Sequence, residues 1–154
     1  MARFVSRIVI LLVVVVFTGL ASSVSAQEDE PRKVTSPFQE EYEIKVGEVL
    51  NLEVLLDGLL WRSFRIDAGD PVDFQAGNNV RTTITNELEN LGEETLNLEV
   101  ILLLEDERGR QLGRLVLRPI KAGGGRFKED SQKYKIDGRV LAETAKVYFF
   151  AEVK

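Results

Sequence analysis

Three carboxylates lie close together between residues 67 and 73, and they are the residues of this chain best suited to bind a cation. Asp67, Asp70 and Asp73 belong to the run Asp-Ala-Gly-Asp-Pro-Val-Asp, whose glycine and proline indicate a loop. Carboxylate oxygens are the hard ligands that Ca²⁺ prefers. The spacing nevertheless differs from that of the Asp-x-Asp-x-Asp-Gly calcium loop with its bidentate Glu. The sequence therefore favours a solvated loop and leaves a calcium-binding or ligand-binding loop as the alternative.

The side chains that serve most often in nucleophilic and metal-dependent catalysis are missing. The sequence contains no His and no Cys, which excludes Ser-His and Cys-His pairs and sites built on imidazole or thiolate. Of the serines beyond residue 26, only Ser63 lies in an apolar-patterned segment away from the termini and the turns, and no lysine is placed beside it. Two acids positioned in a cleft would be needed for glycoside hydrolysis, and a small β domain seldom builds such a cleft. We therefore expect no enzymatic activity and no cofactor.

A second candidate site consists of apolar side chains at positions where polar ones are expected. Two segments, 95–105 and 144–153, alternate with period two, yet each carries large apolar residues on its nominally polar face; these are Ile101, Leu103, Tyr148 and Phe150. If the two segments are neighbouring strands, the four side chains form an exposed apolar strip suited to bind another protein. The alternative is that both strands are central and covered on both faces.

Trp61 is a tentative addition to this site. It stands beside Arg62 and near Arg65, and exposed tryptophan with arginine is common in protein interfaces. The core of a β-sandwich also commonly holds one tryptophan. Both interpretations stay open on the sequence alone.

The elements that position these residues are predicted from apolar and polar residues alternating with period two, which is typical of half-buried β-strands. The predicted strands are 49–56, 59–67, 80–86, 95–105, 111–118, 133–136 and 144–153. Asp57-Gly58 supplies the positive φ angles of a two-residue hairpin turn between the first two. Asp106–Gly109 and Asp137-Gly138 predict further turns, and Gly123–Gly125 predicts a flexible one.

About seven short strands, with no convincing helical repeat, predict an all-β fold. The favoured architecture is a single antiparallel β-sandwich of immunoglobulin-like type, and an open barrel is the alternative. The absence of Cys means that apolar burial alone must stabilise it.

The segment between Asn86 and Asp130 resembles the FxLYD and DUF3426 group of exported bacterial domains. The resemblance rests on Asn90-Leu91-Gly92, the apolar run 98–104, Asp106-x-x-Gly109, Ile120-x-Ala122-Gly123 and Phe127. It implies an immunoglobulin-like or fibronectin-like sandwich in a cell-envelope setting, and it brings no catalytic residue. Leu102 and Glu105 stand where that group has its name-giving Phe and Tyr, and Ala122-Gly123 replaces the usual Pro-Gly.

The N-terminal segment predicts export. Arg3 and Arg7 precede the apolar run 8–17, and small residues at Val24-Ser25-Ala26 complete the pattern of a signal peptide cleaved after Ala26. An uncleaved membrane anchor is the alternative, although the run is short for a membrane span. We expect a flexible leader over 27–39, because it mixes charges and prolines with few apolar residues, and the β-sandwich domain over 40–154.

The charge of the chain bears on its partners. The formal net charge is −5, and it becomes more negative once a signal containing two arginines and no acids is removed. This argues against nucleic acid as a partner, and against a membrane surface unless the N-terminal segment stays uncleaved. The sequence therefore predicts an exported, non-catalytic module, periplasmic, cell-surface or secreted, whose partner is another envelope or secreted protein.

Overall fold

The computed structural model describes residues 30–154, which form two β-sheets packed face to face. The strands are β1 (Arg32–Val34), β2 (Phe38–Glu43), β3 (Val49–Leu56), β4 (Leu59–Ala68), β5 (Asn79–Asn90), β6 (Leu96–Glu105), β7 (Gln111–Val116), β8 (Ile120–Ala122), β9 (Phe127–Asp137) and β10 (Lys146–Val153). A 3-10 helix, Pro71–Asp73, follows β4, and a short helix α1, Gly138–Glu143, precedes β10.

The first sheet has the order β1-β3-β4-β5-β9, and the second has the order β2-β10-β6-β7, with β8 also pairing with β6. Every pairing is antiparallel except that of β1 with β3. The antiparallel β-sandwich expected from the sequence is confirmed. The described residues contain three strands beyond the seven or so expected, namely β1, β2 and β8. Strands β1 and β8 span three residues each and are too short to show alternation, and β2 begins in the segment expected to be a flexible leader.

The Asp57-Gly58 hairpin is confirmed. Asp57 and Gly58 have φ angles of 46° and 91°, and Leu56 pairs directly with Leu59. These left-handed angles match the twist of the two strands. The turn between β6 and β7 likewise contains Gly109 in the left-handed region, with φ at 75°.

The segment expected to be a flexible leader is ordered from Arg32 onward, which corrects that expectation. Strand β1 pairs with β3 of the first sheet, and β2 begins at Phe38, whose side chain is only 2% exposed. Arg32 binds both carboxylate oxygens of Glu40 at 2.6 and 2.5 Å, so β1 and β2 are tied together across the edge of the sandwich. The low apolar content did not exclude order, because edge strands take backbone hydrogen bonds from their neighbours and one buried ring anchors the segment.

The core lies between the sheets and centres on Phe149. The ring of Phe149 meets those of Phe64, Trp61 and Tyr42 edge to face, with centroids 4.9, 5.1 and 5.7 Å apart. Trp61 has no exposed surface, so it belongs to the core and not to a surface that binds a partner. Its tentative assignment as a binding residue is therefore wrong, because the side chain points between the sheets and not to solvent.

Two connections differ from the expected turns. The residues after Asp137 form α1, in which the Asp137 carboxylate accepts a hydrogen bond from the backbone N–H of Arg139 at 2.9 Å. A helix of six residues is too short to show a helical apolar repeat. In the glycine run, Gly124 lies so close to the backbone of Glu93 that a Cβ atom would overlap it. This turn is therefore packed against the β5–β6 connection.

The same end of the sandwich is held by Asn90, the first residue of the Asn-Leu-Gly motif. Asn90 is fully buried. Its Nδ2 donates to the carbonyls of Glu94 and Ala122 at 2.7 and 3.0 Å, and its Oδ1 accepts from the N–H of Gly92 at 3.0 Å. The motif therefore has a structural role, in which one amide joins two connections.

Candidate functional site

The four apolar residues singled out on β6 and β10 are direct neighbours on the outer face of the second sheet. Phe150 pairs with Ile101, and Tyr148 pairs with Leu103. On the next strand, β7, Val116 pairs with Ile101 and extends the row. We call these five residues the apolar strip. Strands β6 and β10 are therefore neighbours, and their outward apolar side chains lie side by side.

The strip arises because β6 and β10 carry apolar residues on both faces. The alternate residues Val100, Leu102 and Phe149 point into the core and are essentially unexposed. Those of the strip point outward and are partly exposed, and Val116 is 59% exposed. Every strand among residues 30–154 belongs to one of the two sheets, and α1 packs against β7 and β9. No element of the described chain therefore covers the strip.

A small cavity opens at one end of the strip. It measures about 170 Å³ and is lined by Val116, Leu117, Pro119, Ile101 and Phe150 among others. Such a volume is of the order of one large apolar side chain. The sheet face is therefore not flat here but can accept a side chain that projects from a partner.

Two glutamates stand at the rim of this cavity. Glu99 and Glu152 are opposite each other in the β6–β10 pairing, an arrangement of like charges that is unfavourable without a cation nearby. Lys154 supplies that cation, since its Nζ lies 2.7 Å from Glu99 Oε2 and 3.4 Å from Glu152 Oε2. Hydrogen bonding to Glu99 raises the pKa of Lys154.

Polar groups also border the other end of the strip. Lys146 Nζ lies 2.7 Å from Glu41 Oε1, and this bond lowers the pKa of the Glu41 carboxyl and raises that of Lys146. Burial, followed by repulsion from Glu41, raises the pKa of Glu105. Along the β2 side of the strip, the Tyr148 hydroxyl donates to Gln39 Oε1 at 3.0 Å. An apolar centre with a polar border is the usual composition of a protein-binding surface.

The aspartate loop does not form the calcium site considered above. Asp67 lies at the end of β4 and forms an ion pair with Arg65 at 2.7 Å. Asp70 caps the 3-10 helix by accepting a hydrogen bond from the Val72 N–H at 3.1 Å, and Asp73 is exposed. Across residues 30–154 no three acidic, His or Cys side chains are grouped so as to hold a metal ion. The geometry of the described residues therefore gives no support to the calcium alternative, because the three carboxylates are not grouped around one point.

Val116 and Pro119 were missed as site residues by the sequence reasoning. The run Leu115-Val116-Leu117 contained the necessary information, because Val116 is an apolar residue at an outward position between two inward-facing leucines. Strand β7 is short, and the single outward Val116 did not by itself mark a surface. Its role became visible only through its pairing with Ile101.

Comparison with known proteins identifies no family for this chain. No family model matches the chain, and no curated protein sequence matches it, so the resemblance to the FxLYD and DUF3426 group stays a prediction. Among solved structures, the Avr2 effector protein of the fungal plant pathogen Fusarium oxysporum is similar at 10% identity and a TM-score of 0.36, over 80% of this chain and 92% of that one. The CBM22-1–GH10 modules of xylanase 10B from Clostridium thermocellum are similar at 11% identity and a TM-score of 0.28. That match covers 75% of this chain and 25% of the xylanase chain. Both likenesses are distant and say nothing about what this chain binds.

Proposed function

We propose that this chain is an exported, non-catalytic β-sandwich domain that binds another envelope or secreted protein through the apolar strip. The observation that carries the proposal is the continuous row Phe150–Ile101–Val116 beside the pair Tyr148–Leu103 on an outer sheet face. A fold of this kind needs only its inner faces to be apolar. The outward apolar residues lie outside the core, and we assign them to a surface that binds a partner.

The strip offers exposed apolar surface that can contribute to binding. Fully burying an exposed valine or larger apolar side chain stabilises a complex by about 1.5 to 3 kcal/mol. Only Val116 is more than half exposed, and the four others would gain a part of that amount. The charged residues at both ends supply orientation, since rim charges govern association more than affinity.

Export and the absence of catalysis rest on the sequence. The predicted signal peptide, with Arg3, Arg7 and Ala26, lies outside the described residues. None of the helices in residues 30–154 has the length and apolar character required to cross a membrane. The lack of His and Cys removes the commonest nucleophile and metal chemistry, which supports a binding role.

A double variant tests the proposal. Ile101→Ser with Phe150→Ser removes the two side chains at the centre of the row and leaves the inner faces of both strands unchanged. We expect the tagged, exported wild-type protein to retain a specific partner after crosslinking in its own envelope, and the double variant to lose it. Cooperative thermal unfolding of the double variant shows that it is folded. Equal capture by the folded double variant and the wild type would contradict the proposal.

A further inference from the structure

A larger groove lies at one end of the sandwich, away from the centre of the apolar strip. It measures about 750 Å³ and lies between the connection from β2 to β3, the segment after the 3-10 helix and the region from α1 to the start of β10. This volume is within the range of small-molecule sites. No residue of the proposed protein-binding strip lines it.

The floor of the groove is apolar. Ile44, Val46, Leu50, Phe74 and Leu141 line it, and all five pack against or belong to the hydrophobic core. Leu141 is 2% exposed, so the groove reaches down to the base of α1. An apolar ligand in this groove would therefore contact side chains of the hydrophobic core.

The wall that carries Phe74 is fixed in place by α1. The N–H of Gly138 donates to the carbonyl of Asn78 at 2.8 Å, and the N–H of Gly77 donates to Asp137 Oδ2 at 2.9 Å. A Cβ atom at Gly138 would lie 2.5 Å from the backbone nitrogen of Gln75, so the two segments are in direct backbone contact. The groove is therefore preformed, which lowers the entropic cost of binding.

The rim of the groove carries more negative than positive charge. Both rim lysines have carboxylate partners, since Lys45 Nζ is 3.5 Å from Glu48 and Lys146 Nζ is 2.7 Å from Glu41. Glu43 and Glu107 also line the rim. Glu43 stands opposite Lys146 in the β2–β10 pairing and helps to raise the pKa of that lysine, after its hydrogen bond with Glu41. Glu107 forms no ion pair among residues 30–154. The rim therefore holds three glutamates and two lysines, and both lysines are already bound to carboxylates.

We propose that this groove binds a small cationic amphiphile, with its apolar chain on the floor between Phe74 and Leu141 and its cationic head between Glu43 and Glu107. The apolar chain accounts for the depth of the groove, and the positive head complements the two glutamates. An anionic amphiphile would meet repulsion at this rim, and a neutral one would gain only the apolar contact.

Three amphiphiles with the same chain length separate these cases, namely octyltrimethylammonium, octyl glucoside and octyl sulfate. Each is titrated below its micelle concentration into the whole domain, and binding is followed by ¹H–¹⁵N NMR. We expect saturable shifts at Val46, Phe74 and Leu141, with the cation binding most tightly. Glu43→Gln and Glu107→Gln should each weaken the cation about fivefold, because an opposite charge at about 4 Å in water contributes about 1 kcal/mol.

Glu129→Gln is the matched control, since it removes one exposed carboxylate on β9, outside the groove. It should leave the affinity unchanged. The proposal is overturned if octyl glucoside binds as tightly as the cation, if Glu129→Gln weakens binding as much as Glu43→Gln, if the shifts fall on the apolar strip, or if no saturable binding occurs. The NMR spectrum of each variant without ligand shows that its fold is intact.

Discussion

Replacing Phe149 tests whether the aromatic cluster stabilises the sandwich as its geometry indicates. The ring is fully buried and makes edge-to-face contacts with three others at centroid distances between 4.9 and 5.7 Å. Each such pair contributes about 0.5 to 1.5 kcal/mol beyond area burial. Phe149→Leu keeps most of the apolar area but removes all three pairs, so we expect the free energy of unfolding to fall by about 3 kcal/mol.

Urea denaturation followed by the fluorescence of Trp61 measures this loss. Trp61 is the only tryptophan, and its ring centroid lies 5.1 Å from that of Phe149, so its emission reports on the same cluster. Phe127→Leu is the matched control, because Phe127 is 56% exposed and should change stability by less than about 0.5 kcal/mol. A loss below about 1 kcal/mol for Phe149→Leu lies outside the range expected from three aromatic pairs, and it would mean that these contacts do not stabilise the sandwich.

Three further predictions concern packing, a buried amide and pH. Gly124→Ala should destabilise the domain by about 2 kcal/mol or more, because the added Cβ would overlap the Glu93 backbone. Gly123→Ala should be nearly neutral, because its Cβ would meet only the Arg126 side chain at 3.6 Å. Equal unfolding midpoints for the two variants would contradict this prediction. Asn86 is fully buried, and its amide has no hydrogen-bond partner within the described part of the chain, so Asn86→Leu should raise the free energy of unfolding by about 1 kcal/mol, and a decrease in a urea titration would argue against it. Burial and the neighbouring Glu40 raise the pKa of Tyr42 to about 12 from its ordinary value of 10.0, so the folded state holds this proton more tightly than the unfolded state does. The contribution of this proton to the free energy of unfolding is complete below pH 10 and is lost as the pH rises towards 12. Tyr42→Phe should remove that part of the alkaline loss, and an unchanged pH profile of unfolding would contradict the assignment.

The sequence predicts the features of this fold that depend on local pattern. Alternation locates the strands, and Asp57-Gly58 identifies the hairpin whose φ angles the structure shows. The neighbouring positions of Ile101 and Phe150 follow from the same alternation once β6 and β10 are paired. Local pattern suffices here because one apolar face must be buried in each strand.

Features that depend on contacts between distant segments were beyond the sequence. Phe38 anchors an otherwise polar stretch because the space beside Trp61 accepts its ring, 6.3 Å away between centroids. The burial of Trp61, the capping role of Asp70 and the packing of Gly124 on Glu93 each depend on a partner that composition does not reveal. Tryptophan, aspartate and glycine are all common at functional sites, and Trp61, Asp70 and Gly124 each have a structural role here instead.

The most direct test of the proposed function compares two exposed apolar residues on opposite sheets. Val116 lies in the apolar strip and is 59% exposed, and Phe127 lies at the start of β9 in the other sheet and is 56% exposed. A photo-crosslinking amino acid is placed at each position in turn, and the exported protein is irradiated in its own envelope. We expect a discrete crosslinked partner from position 116 and none from position 127. Crosslinking at position 127 alone, or at neither position, would rule out the strip as the binding surface.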